Sequence, residues 1–180
     1  CRARKISTYR FMGFDSVDAE PLAEFGININ WNRKIWLKSY RFTFSPIIPK
    51  EVKVLDLSLR PGYTTRFIAE TLNNTNAEAV ILHTYGSGTI PLHNTEFVEA
   101  IKNATHRGLL VLNITQVIEG RVSLKEYANS NISDLGIIGG FDMTPEAILA
   151  KVTILLSIPI KRQQVIEALQ TNLINELTIE

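Results

Sequence analysis

The sequence contains few of the residues that bind metals or form disulfides. It has one cysteine and three histidines among 180 residues, and the histidines are scattered at His83, His93 and His106. A single cysteine excludes an internal disulfide framework and a cysteine-rich zinc site, and it suits a reducing compartment. No apolar run approaches the ~20 residues of a membrane-spanning helix. We therefore predict a cytoplasmic protein with no metal, no cofactor and no membrane partner.

Charge is distributed unevenly along the chain, although the net charge is only +1. Residues 1–50 carry nine Lys and Arg against four Asp and Glu, whereas residues 51–180 carry ten against fourteen. Within the basic part, the stretch WNRKIWLKSYRFTF (31–44) mixes basic and aromatic residues, as nucleic-acid-binding surfaces do. A half-exposed β-hairpin gives the same pattern. We favour the hairpin and predict no nucleic-acid partner, because no RNA-binding signature rich in Gly and Phe accompanies the stretch.

From residue 52 onward, strand patterns and helix patterns alternate. Continuous apolar strands that alternate with helices are typical of a parallel sheet covered on both faces. We predict α/β architecture: a three-layer, Rossmann-like parallel-sheet domain at 51–180, preceded at 1–50 by a linker and a β-hairpin. The predicted strands are 52–57, 79–82, 109–113 and a shorter one within 135–140. The predicted helices run from Thr64 or Thr65 to about Leu72, from Asn94 or Thr95 to Gly108, from Thr144 to about Leu156, and over about 162–177.

The stretch HTYGSGTIP (83–91) follows the second predicted strand and contains two glycines around a serine. It is not a dinucleotide-binding loop, because the third glycine is absent and Pro91 interrupts the approach to the helix. It is not a nucleophile elbow either, because G-x-S-x-G is not met. Two interpretations stay open: a loop whose glycines allow close approach of a chain or ligand, and a plain strand-to-helix turn.

Polar loops at 58–63, 83–91 and 113–120 follow three predicted strands, so they should meet at the carboxyl edge of the sheet, where ligands and partners bind such folds. No acid–base pair is predicted, since Glu146 is explained by the electrostatics of a helix start. Capping of the strand end would by itself explain Asn113. The several hydrogen-bonding side chains next to it also fit a role in binding a ligand or a partner. The ligand or interface candidates are His83, Thr84, Tyr85, Gly86, Gly88, Asn113, Thr115 and Gln116.

Three motifs in one order resemble the C-terminal domain of cytosolic type I L-asparaginases, which also occurs in animal asparaginase–lysophospholipases. They are TYGSG (84–88), RGLLVLNITQ (107–116) and GFDMTPEAILAK (140–151). The segments CRARK (1–5), PLAEFGININWN (21–32) and NLINELT (172–178) extend the resemblance to nearly the whole chain.

The resemblance implies a parent protein that hydrolyses L-asparagine to aspartate and ammonia. In that family the reactive threonines lie in the N-terminal domain, within T-G-G-T-I and D-G-T-D-T segments. Neither segment occurs in this sequence. We therefore predict no catalytic residue here and no activity of this chain alone, because the nucleophile and its activating partners are absent. The implied role is to support the N-terminal catalytic asparaginase domain and to form subunit contacts in a homo-oligomer.

Some positions depart from bacterial relatives in which this domain helps bind asparagine as an allosteric effector. Their arginine before the turn is His83 here, their asparagine after its second glycine is Thr89, and their cysteine after N-x-T-Q is Val117. A mostly neutral histidine does not reproduce the bidentate grip of arginine on a carboxylate. We therefore expect weak or no effector binding.

Two other functions fit the same motifs. One is a non-catalytic regulatory module that binds small amino acids. The other is a domain of a related tRNA amidotransferase subunit, which shares the domain design. We favour the asparaginase interpretation over the amidotransferase because GFDMTPEA fits the asparaginase version better.

Overall fold

The computed structural model describes residues 2–36, 50–123 and 132–179. Its described elements are short antiparallel strands near the amino terminus, followed by alternating parallel strands and helices. Apart from two single-turn 3-10 helices at Arg33–Ile35 and Ser133–Leu135, they are in chain order β1 (Ala3–Lys5), β2 (Phe14–Ser16), β3 (Ala23–Phe25), β4 (Ile29–Trp31), β5 (Val54–Ser58), α1 (Thr64–Asn74), β6 (Ala79–Thr84), α2 (Thr95–His106), β7 (Leu110–Thr115), β8 (Ile138–Gly139), α3 (Pro145–Ser157) and α4 (Arg162–Leu169).

Strands β5, β6, β7 and β8 form a parallel sheet in that spatial order. Successive side chains alternate between its faces: Val80 and Leu82 pack with α1 and α2, whereas Ile81 packs with α3 and α4. Two buried clusters therefore lie on opposite faces, and the predicted three-layer α/β fold is confirmed. The four described strands follow one another across the sheet in the order of the sequence. They therefore do not form the ligand-binding crevice that develops where the strand order changes direction.

Two helix starts follow the predicted capping chemistry. The Asn94 side chain accepts a hydrogen bond from the Phe97 N–H at 3.1 Å, and the Thr144 hydroxyl accepts one from the Ala147 N–H at 3.2 Å. Each bond satisfies a backbone donor that has no partner within the helix. Helix α1 differs, because Tyr63 precedes it and makes no side-chain cap.

The last predicted helix was too long at its carboxyl end. Helix α4 ends at Leu169 rather than near residue 177. Beyond it, the Glu176 carboxylate accepts hydrogen bonds from the N–H groups of Leu173 (3.1 Å) and Ile174 (2.7 Å), so the chain turns around a buried acid. Leu173 is half exposed as a result, although its spacing from Val165 and Leu169 would place it on the same apolar face of a continued helix. Phe67 in α1 is likewise half exposed, whereas its neighbours Ile68 and Leu72 are buried.

Residues 2–36, called the arm below, contain two short hairpins. Strand β1 pairs with β2, and β3 pairs with β4, both antiparallel. The hairpin predicted at 31–44 falls mostly outside the described residues; its first residue, Trp31, ends β4. The predicted boundary near residue 50 also remains a prediction. Among the described helices, none has both the length and the apolar character needed to cross a membrane.

Candidate functional site

The two glycines after β6 form a closed turn. The Tyr85 N–H donates to the Thr89 carbonyl at 3.1 Å, and the Thr89 N–H donates back to the Tyr85 carbonyl at 2.8 Å. Gly86 and Gly88 have φ of +48° and +112°, a region that favours glycine. A Cβ at Gly88 would lie 2.8 Å from a methyl group of Val122. The glycines therefore serve a tight turn and close approach of the chain's own backbone.

Behind the turn, Thr84 and Asn113 are fully buried on neighbouring strands. The Thr84 hydroxyl donates to Asn113 Oδ1 at 2.6 Å, and Asn113 Nδ2 donates to the Gly88 carbonyl at 3.0 Å. Asn113 thus lies within β7 rather than at its end, and its amide uses both its donor and its acceptor side. Because a buried polar group without a partner is costly, this pair fixes the turn to the sheet.

Thr115 and Gln116 hold the same edge together from the end of β7. The Thr115 hydroxyl donates to the Gly86 carbonyl at 2.5 Å. Gln116 Nε2 donates to the carbonyls of Leu59 (2.6 Å) and His83 (2.9 Å), and its Oε1 accepts a hydrogen bond from Arg60. The structure therefore brings the predicted polar loops together, and their side chains donate mainly to backbone carbonyls of the same loops.

The side chain of His83 lies apart from this network, although its carbonyl accepts a hydrogen bond from Gln116. The alternation of side chains places it on the face of the sheet that carries α3 and α4, opposite Thr84. Its Nε2 is 2.6 Å from Asp56 Oδ1, although the ring is poorly aligned for a regular hydrogen bond. The Asp56 carboxylate is half exposed and would repel the carboxylate of an amino-acid ligand approaching His83.

A buried arginine missed by the sequence analysis joins three parts of the chain. Arg2 donates to Asp142 Oδ2 (2.8 Å), to the Asp18 carbonyl (2.9 Å), to the Asn175 carbonyl (2.9 Å) and to the Thr178 hydroxyl (2.8 Å). Burial alone would raise the pKa of Asp142, but hydrogen bonds from Thr178 and Arg2 hold that pKa below its ordinary value. Asp142 is therefore a structural carboxylate that joins the arm to the tail.

A second buried ion pair joins α3 to the tail. Lys151 Nζ lies 2.6 Å from Glu176 Oε1 and donates to the carbonyls of Leu169 (3.2 Å) and Thr171 (2.6 Å). Both side chains are less than a tenth exposed. Burial would raise the pKa of Glu176, but the hydrogen bond from Lys151 and those from the backbone outweigh it, so that pKa is lowered. Among the described residues, no cluster of His, Cys, Asp and Glu could hold a metal ion.

An open cleft of about 330 Å³ lies at the opposite edge of the sheet, away from all the candidate residues. Arg107, Arg162 and Glu78 line it. Arg107 caps the carboxyl end of α1 by donating to the Leu72 carbonyl at 2.7 Å, which gives it a structural role.

The parallel sheet, the glycine turn after β6 and the buried asparagine in β7 define the class of protein. Residues 53–169 match the family described as the glutaminase/asparaginase C-terminal domain, and the chain belongs to this family.

The proteins to which this chain is similar are named as L-asparaginases or as lysophospholipases. L-asparaginase 1 of Escherichia coli K12 is 33% identical and aligns with 98% of this chain but only 52% of its own length. The human 60 kDa lysophospholipase is 32% identical over 88% of this chain and 27% of its own. The crystal structure of Vibrio cholerae L-asparaginase I is 33% identical, covers 99% of this chain and 53% of its own, and has a TM-score of 0.87.

The resemblance stated from the motifs is thereby confirmed, and the chain spans about half the length of these two bacterial asparaginases. A glutamyl-tRNA(Gln) amidotransferase polypeptide from Saccharolobus solfataricus also matches over 98% of this chain, at a lower identity of 26%.

Replacing Asn113 by alanine should lower the free energy of unfolding by about 2 kcal/mol, because it leaves the Gly88 carbonyl and the Thr84 hydroxyl buried without this partner. Urea denaturation of the purified chain measures the change. The matched control is Thr115→Ala, which removes a hydrogen bond to the same turn at a water-accessible position and should cost less than about 1 kcal/mol. Equal losses in the two variants would contradict the assigned role of Asn113.

Proposed function

We propose that this chain is the C-terminal supporting half of an L-asparaginase, whose other half carries the reactive threonines and hydrolyses L-asparagine to L-aspartate and ammonia. The observation that carries the proposal is the match to the asparaginase C-terminal domain family, together with relatives named L-asparaginase that extend to about twice this length. On this proposal, the partner is an N-terminal catalytic domain and the location is the cytoplasm.

The hydrogen bonding at the carboxyl edge supports a structural role for this half. The side chains of Thr84 and Asn113 bond to each other, and those of Asn113 and Gln116 donate to nearby backbone carbonyls. A site for nucleophilic catalysis needs a hydroxyl or thiol within reach of a general base. The buried hydroxyl of Thr84 instead bonds to an amide oxygen. The exposed apolar side chains of Val117 and Ile118, just beyond β7, support the proposal that this edge also forms contacts in a homo-oligomer.

The proposal is tested by an ammonia-release assay with L-asparagine. We expect no release by the purified chain, and release by the polypeptide that joins it to its catalytic half. The control is the joined polypeptide with alanine at the first threonine of its T-G-G-T-I segment, which removes the nucleophile and should abolish release. Ammonia produced by this chain alone would contradict the proposal.

A regulatory module that binds amino acids is the second candidate, favoured by the buried Nε2 of His83, which makes no regular hydrogen bond to the described residues. Calorimetric titration of L-asparagine into the chain distinguishes the two. We expect no saturable binding, because Asp56 opposes a ligand carboxylate; saturation at roughly millimolar or lower concentration would favour the regulatory module.

A further inference from the structure

The open cleft at the amino edge of the sheet, called the amino-edge cleft below, is well separated from the glycine turn. The six residues of β6 lie between the two edges, a length of roughly 20 Å. Residues from the α1–β6 connection, the α2–β7 connection and the adjoining ends of α3 and α4 line the cleft. Its volume of about 330 Å³ lies within the range of sites that hold small molecules.

Two arginines line the amino-edge cleft, and both are exposed to solvent and therefore accessible to a ligand. Arg107 is anchored there, because one of its N–H groups donates to the Leu72 carbonyl at 2.7 Å. A guanidinium has several N–H donors, so this bond leaves others available. The side chain of Arg162 has no hydrogen-bond or ion-pair partner among the described residues. The cleft therefore contains guanidinium donors that the domain itself does not use.

The charge in the amino-edge cleft is unbalanced. Of the described residues that line it, only Glu78 is acidic. That carboxylate is already paired, since Lys50 Nζ lies 2.5 Å from Glu78 Oε2. With Lys50 included, three cations stand against one carboxylate, and the local charge is +2. Arg162 is also the first residue of α4, where the helix dipole adds to the positive potential. A bound dianion would neutralise this excess.

Apolar side chains form the rest of the lining. Ala77, Leu109 and Leu156 contribute to it, and none of the three is exposed beyond an intermediate degree. A small-molecule site typically combines an apolar lining with a few polar groups that fix the orientation of the ligand. An apolar surface beside two guanidinium groups therefore suits an organic molecule with an anionic end better than a bare inorganic ion.

The chemistry of the donors favours phosphate as that anionic end. A guanidinium binds carboxylate or phosphate through two parallel hydrogen bonds. A phosphate monoester carries nearly two negative charges at neutral pH and has three strong acceptor oxygens. It can therefore pair with both arginines at once, whereas a single carboxylate neutralises only one of them.

We propose that the amino-edge cleft binds a small organic phosphate, whose dianion pairs with Arg107 and Arg162 and whose apolar part lies against Leu109 and Leu156. All of these residues belong to this chain and lie at the opposite edge from the candidate residues described above. The proposal therefore goes beyond the proposed function and does not depend on the catalytic half.

A chemical-shift titration tests this proposal. Phenyl phosphate is added to the purified, ¹⁵N-labelled chain at about pH 7.5, where the phosphate is a dianion. We expect saturable shifts at the amides of Ala77, Gly108 and Arg162, with half-saturation below about 10 mM. The amide of Gly86, at the other edge of the sheet, should not shift. Inorganic phosphate lacks the ring and should bind at least about threefold more weakly.

Three variants connect the binding to the charges in the cleft. Arg162→Gln should weaken the binding of phenyl phosphate about tenfold, because it removes charge-assisted hydrogen bonds. Glu78→Gln should tighten it about threefold, because it removes the carboxylate and releases Lys50. Arg66→Gln is the matched control: it removes an exposed arginine at the opposite end of α1 and should leave the affinity unchanged. The spectra of the free variants establish that each one folds.

Three results would overturn the proposal. The first is the absence of saturable shifts at the cleft amides with either phosphate. The second is equal weakening by Arg162→Gln and Arg66→Gln, because binding would then follow the net charge of the chain rather than the cleft. The third is binding of succinate as tight as that of phenyl phosphate, which would assign the cleft to dicarboxylates. None of these results changes the outcome expected in the ammonia assay, so the two proposals succeed or fail independently.

Discussion

Replacing Glu176 by glutamine is expected to lower the free energy of unfolding by about 3 kcal/mol, because it leaves the Lys151 ammonium buried without a counter-charge. The substitution preserves the size of the side chain and an oxygen that can accept from the backbone N–H groups of Leu173 and Ile174. The loss therefore comes mainly from the broken ion pair. Urea denaturation of the purified chain at pH 7 measures it.

Two further variants separate the ion pair from general disruption of the tail. Adding Lys151→Met to Glu176→Gln removes the unpaired charge and should recover at least half of the loss. Glu70→Gln is the matched control, since it breaks the exposed pair between Arg66 and Glu70 and should change stability by less than about 0.5 kcal/mol. A Glu176→Gln loss as small as that of the control would contradict the assigned role of the buried pair.

The pH profile provides a second readout of the same ion pair. The pKa of Glu176 is lower in the folded chain than its ordinary value of 4.5, so the unfolded chain binds protons first as the pH falls. Stability from this carboxylate is therefore complete above about pH 5 and is lost as the pH falls through the folded pKa. Glu176→Gln should flatten this acid-side decline. If the acid-side loss of stability is the same in Glu176→Gln, that loss comes from other carboxylates, including Asp142, whose pKa is also lowered.

The sheet, its flanking helices and the meeting of the polar loops could be predicted because they depend on local patterns. Apolar strand residues such as Val80 and Ile81 form a continuous run, which is typical of strands covered on both sides. Asn94 and Thr144 begin helices because their side chains satisfy free N–H groups within the next three residues. Parallel strands bring their carboxyl ends to one edge, so Asn113 and Thr84 had to lie near each other.

The ion pairs could not be predicted in this way, because their members are far apart in sequence or lie where the local pattern predicts something else. Arg2 and Asp142 are 140 residues apart, and no periodicity relates them. The apolar spacing of Val165, Leu169 and Leu173 predicted a continued helix, whereas the backbone bonds to Glu176 favour a turn. Asn172 and Asn175 are residues typical of turns and did indicate the end of the helix. The prediction gave more weight to the apolar spacing and continued the helix through them.

The same reasoning explains why the meeting of these polar residues at one edge could be predicted, whereas their hydrogen-bond partners could not. Sequence indicated that Thr84, Asn113 and Gln116 meet at one edge, and hydrogen-bonding capacity suggested binding. Whether such groups face a ligand or each other depends on their side-chain rotamers and on the loops packed around them, which no local sequence pattern specifies. Here the Thr84 hydroxyl lies 2.6 Å from Asn113 Oδ1, and the two groups therefore form a hydrogen bond within the domain.

Replacing Arg2 by methionine is expected to lower the free energy of unfolding by about 3 kcal/mol and to loosen the arm. The variant removes four hydrogen bonds and leaves the buried carboxylate of Asp142 with only the Thr178 N–H and hydroxyl as partners. Because the arm loses its first anchor, amide hydrogens that pair β1 with β2 should exchange at least tenfold faster. Urea denaturation and hydrogen exchange of the purified chain measure the two effects.

The companion variants separate the charge of Arg2 from its geometry. Arg2→Lys keeps the charge but not the planar fork, so it should recover only part of the stability. Arg4→Met removes an arginine from the same hairpin whose contact with Glu146 is longer, at 3.8 Å, and largely exposed, so it should cost less than about 1 kcal/mol. If Arg4→Met accelerates exchange in the arm as much as Arg2→Met does, Arg2 is not the anchor. If only Arg2→Met accelerates it, the position of the arm depends on one guanidinium that connects it to Asp142 and to the carboxyl-terminal tail.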